Sequence, residues 1–467
     1  MGQFTGTANP LNEWDQGKGR KFERLATAIE RALVNGDLSN PLPPERTLAA
    51  QLGVSRGTVT AAYGVLKDRR LIASRSGGYT RSDTLQVKRH ARAARLAALA
   101  IEDGAIVDSY IERDPAGMDL AFAILGVPER LRFIVEEAHL AALTETASTQ
   151  YMPAGRLDLK IRIAELFREQ NVPTRPEQII ITQGAYQGIS LATQLALQPG
   201  DRVACEYPTY PGALEIFHAH SANVAEIASY DSPDSLKELE FGAAVDLIYA
   251  SSTYQNPTGL VIQRASAARL ARIAEERAIV TIDDRALEHC GYAIEAHPPL
   301  ATYRPAAPIL TLGSLDKTTG AGTRIGWIRA PLSLVSKLTR LKALSDFASP
   351  NVTQSIALHL LEHLSQFSAE RRRELLERYD SCAAALAMHL PTWRWAAPIG
   401  GSSLWVDTGT DADEVVSAAR RAGITLLAGR TFSMAGHHRT HVRIALARPP
   451  EALAALIKRL AASIRTS

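Results

Sequence analysis

Apolar positions fall into distinct regimes along the chain. Near the N-terminus they recur at helical spacing: Phe22, Leu25, Ala26, Ile29 and Leu33 form one stripe, which Asn35-Gly36 ends. Pro41-Leu42-Pro43-Pro44 breaks the pattern. Leu48, Ala49 and Leu52 then make a short second stripe stopped by Gly53, and Val59, Ala62, Tyr63 and Leu66 make a third behind Ser55, a good N-cap. This predicts helix, tight turn, helix, with 71–79 adding a short strand and a glycine-containing wing tip. Beyond about residue 117 the regime changes. Short β-rich runs at 178–182, 203–205, 247–249, 279–282 and 309–312 alternate with helical stretches, which predicts a mostly parallel sheet covered on both faces. From about 385 onward, strand-like 403–406 and 441–444 flank a helix at 412–421, the pattern of a smaller α+β subdomain. The expected organisation is a mainly helical module at 1–80, an Arg- and Ala-rich connector at 81–116, and an α/β body at 117–467 whose small subdomain occupies about 385–467.

Length and composition agree with such a division. The chain has 467 residues, 46% hydrophobic and 22% charged, enough for two or three packed domains and unlike disordered or fibrous sequences. The net charge of +3 hides an asymmetry: residues 1–100 carry 16 Lys/Arg against 8 Asp/Glu, and the remainder 36 against 41. A basic module facing phosphates explains this, and so does an ordinary solvated basic face. Cys205, Cys290 and Cys382 lie far apart with no metal-ligand spacing, so neither a disulfide framework nor a structural zinc is expected. No apolar run is long enough to span a membrane, and Met1-Gly2-Gln3-Phe4 does not open a secretion signal; a reducing, cytoplasmic location is expected.

In the N-terminal module, the second helix of the pair would enter a DNA major groove by its first turn, where small polar residues and an Arg reach base edges and phosphates. Leu42-Pro43-Pro44-Glu45-Arg46, Leu48-Ala49, Leu52-Gly53-Val54-Ser55-Arg56 and Thr58-Val59 together resemble the winged helix-turn-helix domain of GntR-type regulators over roughly residues 20–80. The resemblance implies operator contacts from Arg46, Ser55, Arg56, Thr58 and Thr60 and from a wing tip at Ser76 and Gly77. Gly57 stands where that family often has a larger polar residue, which removes one contact. A three-helix domain that only mediates dimer contacts is the non-DNA alternative.

Four motifs of the body carry chemistry. Gly184-Ala185-Tyr186 follows a strand and opens a helix, a place where backbone N–H groups hold phosphate. Asn256, in Ser251-Ser252-Thr253-Tyr254-Gln255-Asn256-Pro257-Thr258-Gly259, puts an amide at a strand end. Asp283-Asp284 ends an apolar strand, where burying both charges is costly unless one meets a cation. Ser314-Leu315-Asp316-Lys317 follows another strand, with Arg324 seven residues beyond the lysine. An amine, a carboxylate, an amide donor, an aromatic face and a cationic anion cup are what pyridoxal phosphate requires. From about residue 117 onward the body resembles the fold-type I aminotransferases, through Asn256-Pro257-Thr258-Gly259, Ser314-Leu315-Asp316-Lys317 and Arg324-Ile325-Gly326-Trp327.

That resemblance implies roles. Lys317 forms the Schiff base with pyridoxal 5'-phosphate, Asn256 donates to the ring oxygen, and Tyr210 stacks on the ring. Gly184, Ala185, Tyr186, Ser314 and Arg324 hold the phosphate. Asp284 pairs with the pyridine nitrogen, Asp283 being held in reserve. Tyr151 reaches a neighbouring subunit's phosphate, and Arg443 clamps a substrate or effector carboxylate. Two departures lie beside the cofactor: Ala286 and Leu287 stand where a tyrosine is usual, and Asp316 stands where a serine is usual.

The domain order is that of the MocR/GabR subfamily of bacterial GntR-type regulators. It implies an operator-binding head-to-tail homodimer in which the aminotransferase-like body senses an amino compound, with weak or no transaminase activity. Two alternatives stay open: an active aminotransferase with an accessory DNA-binding module, and a cofactor-free sensor.

Overall fold

The computed structural model of the protein describes residues 11, 14–15, 19–35, 42–69, 71–74, 80–82, 118–144, 151–242, 244–293 and 297–465. The expected wing tip at Ser76 and Gly77 and nearly all of the expected connector lie outside the described residues. The chain divides into two compact units, Met1–Gly104 and Ala105–Ser467.

In the first unit, α1 (Lys21–Asn35), α2 (Glu45–Leu52) and α3 (Arg56–Asp68) precede β1 (Ile72–Ser74), which pairs antiparallel with β2 (Thr80–Ser82). The stripes read from the sequence are what they bury: Leu25, Ile29, Leu48, Val59, Ala62, Tyr63 and Leu66 form one apolar core. Gly53 ends α2 at φ +64°, a left-handed conformation that glycine adopts without a Cβ penalty. Ser55 caps α3, its hydroxyl accepting the Thr58 N–H at 3.1 Å. Tyr63 is fully buried and donates its phenol to the Pro43 carbonyl at 2.8 Å, which ties α3 to the proline segment ahead of α2.

The second unit runs β3 (Met118–Asp119), α4 (Arg132–Thr144), α5 (Leu157–Glu169), β4 (Ile179–Thr182), α6 (Ala185–Ala196), β5 (Arg202–Glu206), α7 (Pro211–Ala219), β6 (Asn223–Ile227), α8 (Pro233–Phe241), β7 (Leu247–Ala250), α9 (Arg264–Glu276), β8 (Val280–Asp284), β9 (Ile309–Ser314) and β10 (Gly326–Arg329). The helices α10 (Leu332–Asp346), α11 (Asn351–Glu362) and α12 (Leu364–His389) follow. The C-terminal part holds β11 (Arg394–Trp395), β12 (Ser403–Asp407), α13 (Ala412–Arg421), β13 (Ile424–Thr425), β14 (Leu427–Ala428), β15 (His441–Ala445) and α14 (Pro450–Arg465). The large sheet has the order β4-β10-β9-β8-β7-β5-β6, with β10 antiparallel to both neighbours and the other pairs parallel.

Alternate strand residues enter different cores. Ile179, Ile181, Ala204, Ile248 and Ile309 pack in one, while Ile180, Val203, Cys205, Leu247, Ile282 and Leu310 pack in another. Burial on both faces is why these strands read as continuous apolar runs rather than alternating ones. The four-stranded sheet β11-β12-β15-β14 carries the small subdomain. Its core reaches back to Leu375 on α12 and recruits Leu120 and Leu125, so it draws on more chain than the expected 385–467. Leu120 arrives there because β3 pairs in parallel with β13.

Candidate functional site

Parallel strands in such a sheet end on one edge, and the loops leaving them build the site. Residues following β4, β7 and β9 and at the end of β8 converge with the segment after β3 and with β15 on a cavity of about 630 Å³. Of the expected residues, Ala185, Tyr186, Tyr210, Asn256, Asp284, Ser314, Lys317, Arg324 and Arg443 line it. Gly184 adjoins it as the N-cap of α6, at φ +83°. Tyr151 does not line it. That residue is 78% exposed, with its ring 5.7 Å from that of Phe347, itself exposed.

The two aspartates at the end of β8 part company because successive strand residues face opposite sides. Asp283 accepts the Ser252 hydroxyl at 2.5 Å and the Leu300 N–H at 2.9 Å, and Arg285 is its neighbouring cation. Asp284 faces the cavity, accepting the Tyr249 phenol at 2.8 Å and the Ala286 N–H at 3.0 Å. Burial pushes its carboxyl up from the ordinary range, and no cation stands among the groups that oppose the shift. A protonated pyridine nitrogen is the kind of partner this buried acid lacks.

Lys317 donates its Nζ to the Ala123 carbonyl at 2.7 Å. Burial holds its amine below the usual lysine range, with Arg443 and Arg324 adding to the effect and Cys290 and Asp316 opposing it. A lowered pKa raises the fraction of neutral, nucleophilic amine. Arg443, 4% exposed, donates to the Asn256 side-chain oxygen at 3.0 Å and to the Ala121 carbonyl, and its guanidinium lies 5.0 Å from the Phe432 ring centroid. Tyr210 precedes α7, and a Cβ at Gly212 would come within 2.5 Å of its ring, so glycine is what lets the ring lie there.

Sequence reading did not single out the segment after β3, which holds Lys317 and Arg443. Leu120 N–H donates to Thr425 and its carbonyl accepts from Ala445, while Asp119 caps Ala121 and Phe122 at 2.8 and 3.1 Å. Thus anchored, the segment presents the Ala121 carbonyl to Arg443 and the Ala123 carbonyl to Lys317. It acts through backbone carbonyls, so it leaves no side-chain motif. Tyr249 was also missed, although a tyrosine inside an apolar strand needs a partner for its hydroxyl.

Glu206 ties two site loops together. Its oxygens accept the Tyr230 N–H at 2.6 Å and the Gln255 amide at 3.4 Å, and Gln255 also donates to the Pro208 carbonyl at 2.9 Å. Burial raises its pKa to about 7. Between the unfolded value near 4.5 and this one the folded state binds the extra proton, so stability is lost as pH rises through that window, by up to about 3 kcal/mol. Glu206→Gln is expected to match the wild-type melting temperature at pH 5 and exceed it at pH 8; a constant difference across that range would show that Glu206 does not titrate there.

The end of the cavity where a phosphate is expected holds Gly184 and the start of α6, with Ser314 and Arg324 beside them. Asp316 stands within it: Arg324 Nη1 lies 2.7 Å from Asp316 Oδ2, and Arg324 Nη2 donates to the Gln183 carbonyl at 2.9 Å. The residues at the ring and lysine ends thus fit pyridoxal phosphate, whereas its phosphate would meet a carboxylate already seated on Arg324.

Comparison with known proteins agrees with both halves. The family model described as "Aminotransferase class I and II" matches residues 127–460, and that of "Bacterial regulatory proteins, gntR family" matches residues 21–81. HTH-type transcriptional regulator TauR of Rhodobacter capsulatus is 26% identical over 96% of this chain and 97% of its own length. Aromatic-amino-acid aminotransferase 1 of Thermococcus litoralis is 27% identical over 71% of this chain and 82% of its own. Among solved structures, the alpha-aminoadipate aminotransferase LysN of Thermus thermophilus, complexed with N-(5'-phosphopyridoxyl)-L-leucine, superposes with a TM-score of 0.72 at 25% identity, covering 79% of this chain and 97% of that one. Among the described residues no helix is long and apolar enough to cross a membrane.

Proposed function

Because the chain belongs to the class I and II aminotransferase family and carries a GntR-type DNA-binding domain ahead of it, we propose that this transcriptional regulator senses an amino compound in the cavity around Lys317 and relays its arrival to operator DNA. Pyridoxal 5'-phosphate is the family's cofactor; bound here, it would supply an aldehyde with which amines condense. Lys317 would hold that aldehyde, Asp284 its ring nitrogen, Asn256 its ring oxygen and Tyr210 its face. Arg443 would bind the carboxylate of an amino-acid effector by a two-pronged contact.

The observation that carries the reading is the pair of hydrogen bonds from Lys317 and Arg443 to the Ala123 and Ala121 carbonyls. Both groups that an amino acid engages are tied to the segment after β3, which follows the DNA-binding unit in the sequence. An effector that draws either group away changes the contacts of that segment, and such a difference in contacts is what shifts a two-state equilibrium. A head-to-tail homodimer fits the exposed Tyr151 and Phe347, and three buried free thiols fit a reducing cytoplasm. The test is binding of the full chain, supplied with pyridoxal phosphate, to DNA selected from a random pool, with and without individual amines. A change in DNA affinity with one class of amine supports sensing. Sustained transamination above about 1 s⁻¹ with DNA binding indifferent to amines would instead favour a catalytic aminotransferase, the reading that the enzyme relatives suggest.

A further inference from the structure

The start of α6 is an anion cup by construction. Its first N–H groups are unpaired within the helix, the helix dipole is positive there, and Arg324 stands over it. The structure fills that cup from within. A Cβ placed at Gly184 would come 2.9 Å from Asp316 Oδ2 and 3.4 Å from Arg324 Nη1, so the Asp316–Arg324 ion pair lies against the N-cap. Asp316 is 8% exposed, and its amide is fixed by donation to the Ser314 hydroxyl at 3.1 Å. Its second oxygen, Oδ1, is buried and accepts no hydrogen bond among the described residues.

We propose that Asp316 is a built-in anion of the phosphate cup, which makes pyridoxal phosphate an exchangeable ligand of this pocket and lets the phosphate-free aldehyde, pyridoxal, compete with it. The inference rests on the cavity taking a pyridoxal-type aldehyde at all. A phosphate dianion seated on Arg324 would face the Asp316 carboxylate at contact distance, and like charges so close in a partly buried site repel strongly. Burial pushes the Asp316 carboxyl up from its ordinary range against the opposing pull of Arg324 and Lys317, so these cations do not fully offset one anion and leave no surplus of positive charge for a second. A neutral hydroxymethyl group meets no such repulsion.

The measurement is a spectroscopic titration of the full chain, freed of bound aldehyde, with pyridoxal phosphate and separately with pyridoxal, reading the absorbance that depends on Lys317. For Asp316→Ser, affinity for pyridoxal phosphate is expected to rise roughly 100-fold, with pyridoxal changing less than about threefold. Asp316→Asn keeps the shape without the charge, and a rise of about tenfold for the phosphate form alone guards against a folding artefact in the serine variant. Equal gains for both aldehydes, or no gain for the phosphate form in either variant, would overturn the proposal. If neither aldehyde produces Lys317-dependent absorbance in any of these proteins, the cofactor reading itself falls, and this inference with it.

Discussion

Replacing Lys317 with alanine is expected to abolish the lysine-dependent visible absorbance completely and, with it, the response of DNA binding to amines. Affinity for DNA without effector should shift toward the effector-bound value, because the hydrogen bond from Lys317 to the Ala123 carbonyl is lost while no residue of the DNA-binding unit is altered. Lys317 is the group in the cavity whose amine burial keeps reactive, and its hydrogen bond to Ala123 holds the segment after β3. Alanine therefore removes both the point of covalent attachment and the link to that segment. The two roles separate in Lys317→Arg. A guanidinium can still donate to the Ala123 carbonyl but is always protonated and does not condense with an aldehyde. If Lys317→Arg loses absorbance yet keeps an amine response, binding at Arg443 alone drives the switch. If Lys317→Ala itself retains the full response, the cavity is not the sensor.

What the sequence reveals of this site, and what it hides, follows from how each residue acts. Lys317, Arg324, Asn256 and Asp284 bring side chains to the cavity from strand ends and the loops that follow them, so their spacing survives as a motif. Ser55 is legible for the same reason, since a cap must immediately precede its helix. The segment after β3 acts through carbonyls, and what places it is its pairing with β13, some 300 residues away in sequence; no local pattern encodes that. Strand β10 is hidden for a third reason. It is four residues long and ends in Arg329, which is 1% exposed and donates to the Pro173 and Pro305 carbonyls. A buried arginine breaks the apolar run by which strands are recognised. Asp316 is visible in the sequence as a departure, but only the structure puts its carboxylate on Arg324.

The double substitution Arg46→Ala/Arg56→Ala is expected to weaken operator binding on the order of 1000-fold, each arginine accounting for about 1–3 kcal/mol as a phosphate or guanine contact. Both side chains are exposed at the start of consecutive helices, and neither belongs to the core around Tyr63, so thermal stability should change little. Glu45 makes the effect larger than a count of lost contacts suggests. Its carboxylate lies 3.6 Å from Arg56 Nε and accepts the Thr60 hydroxyl at 2.9 Å, so it orients two of the residues expected to meet DNA. Without Arg56 that carboxylate is left facing the phosphates with its charge uncompensated. Glu45→Gln in the double variant should therefore recover part of the loss, about tenfold at low salt. The salt dependence supplies an independent reading: if both arginines neutralise phosphates, the slope of log affinity against log salt becomes shallower by about 2. An unchanged slope with reduced affinity would assign them to base edges instead, and unchanged affinity would show that α2 and α3 do not form the DNA-binding face. The amine response of the cofactor absorbance should be intact throughout, since these substitutions leave the Lys317 cavity untouched.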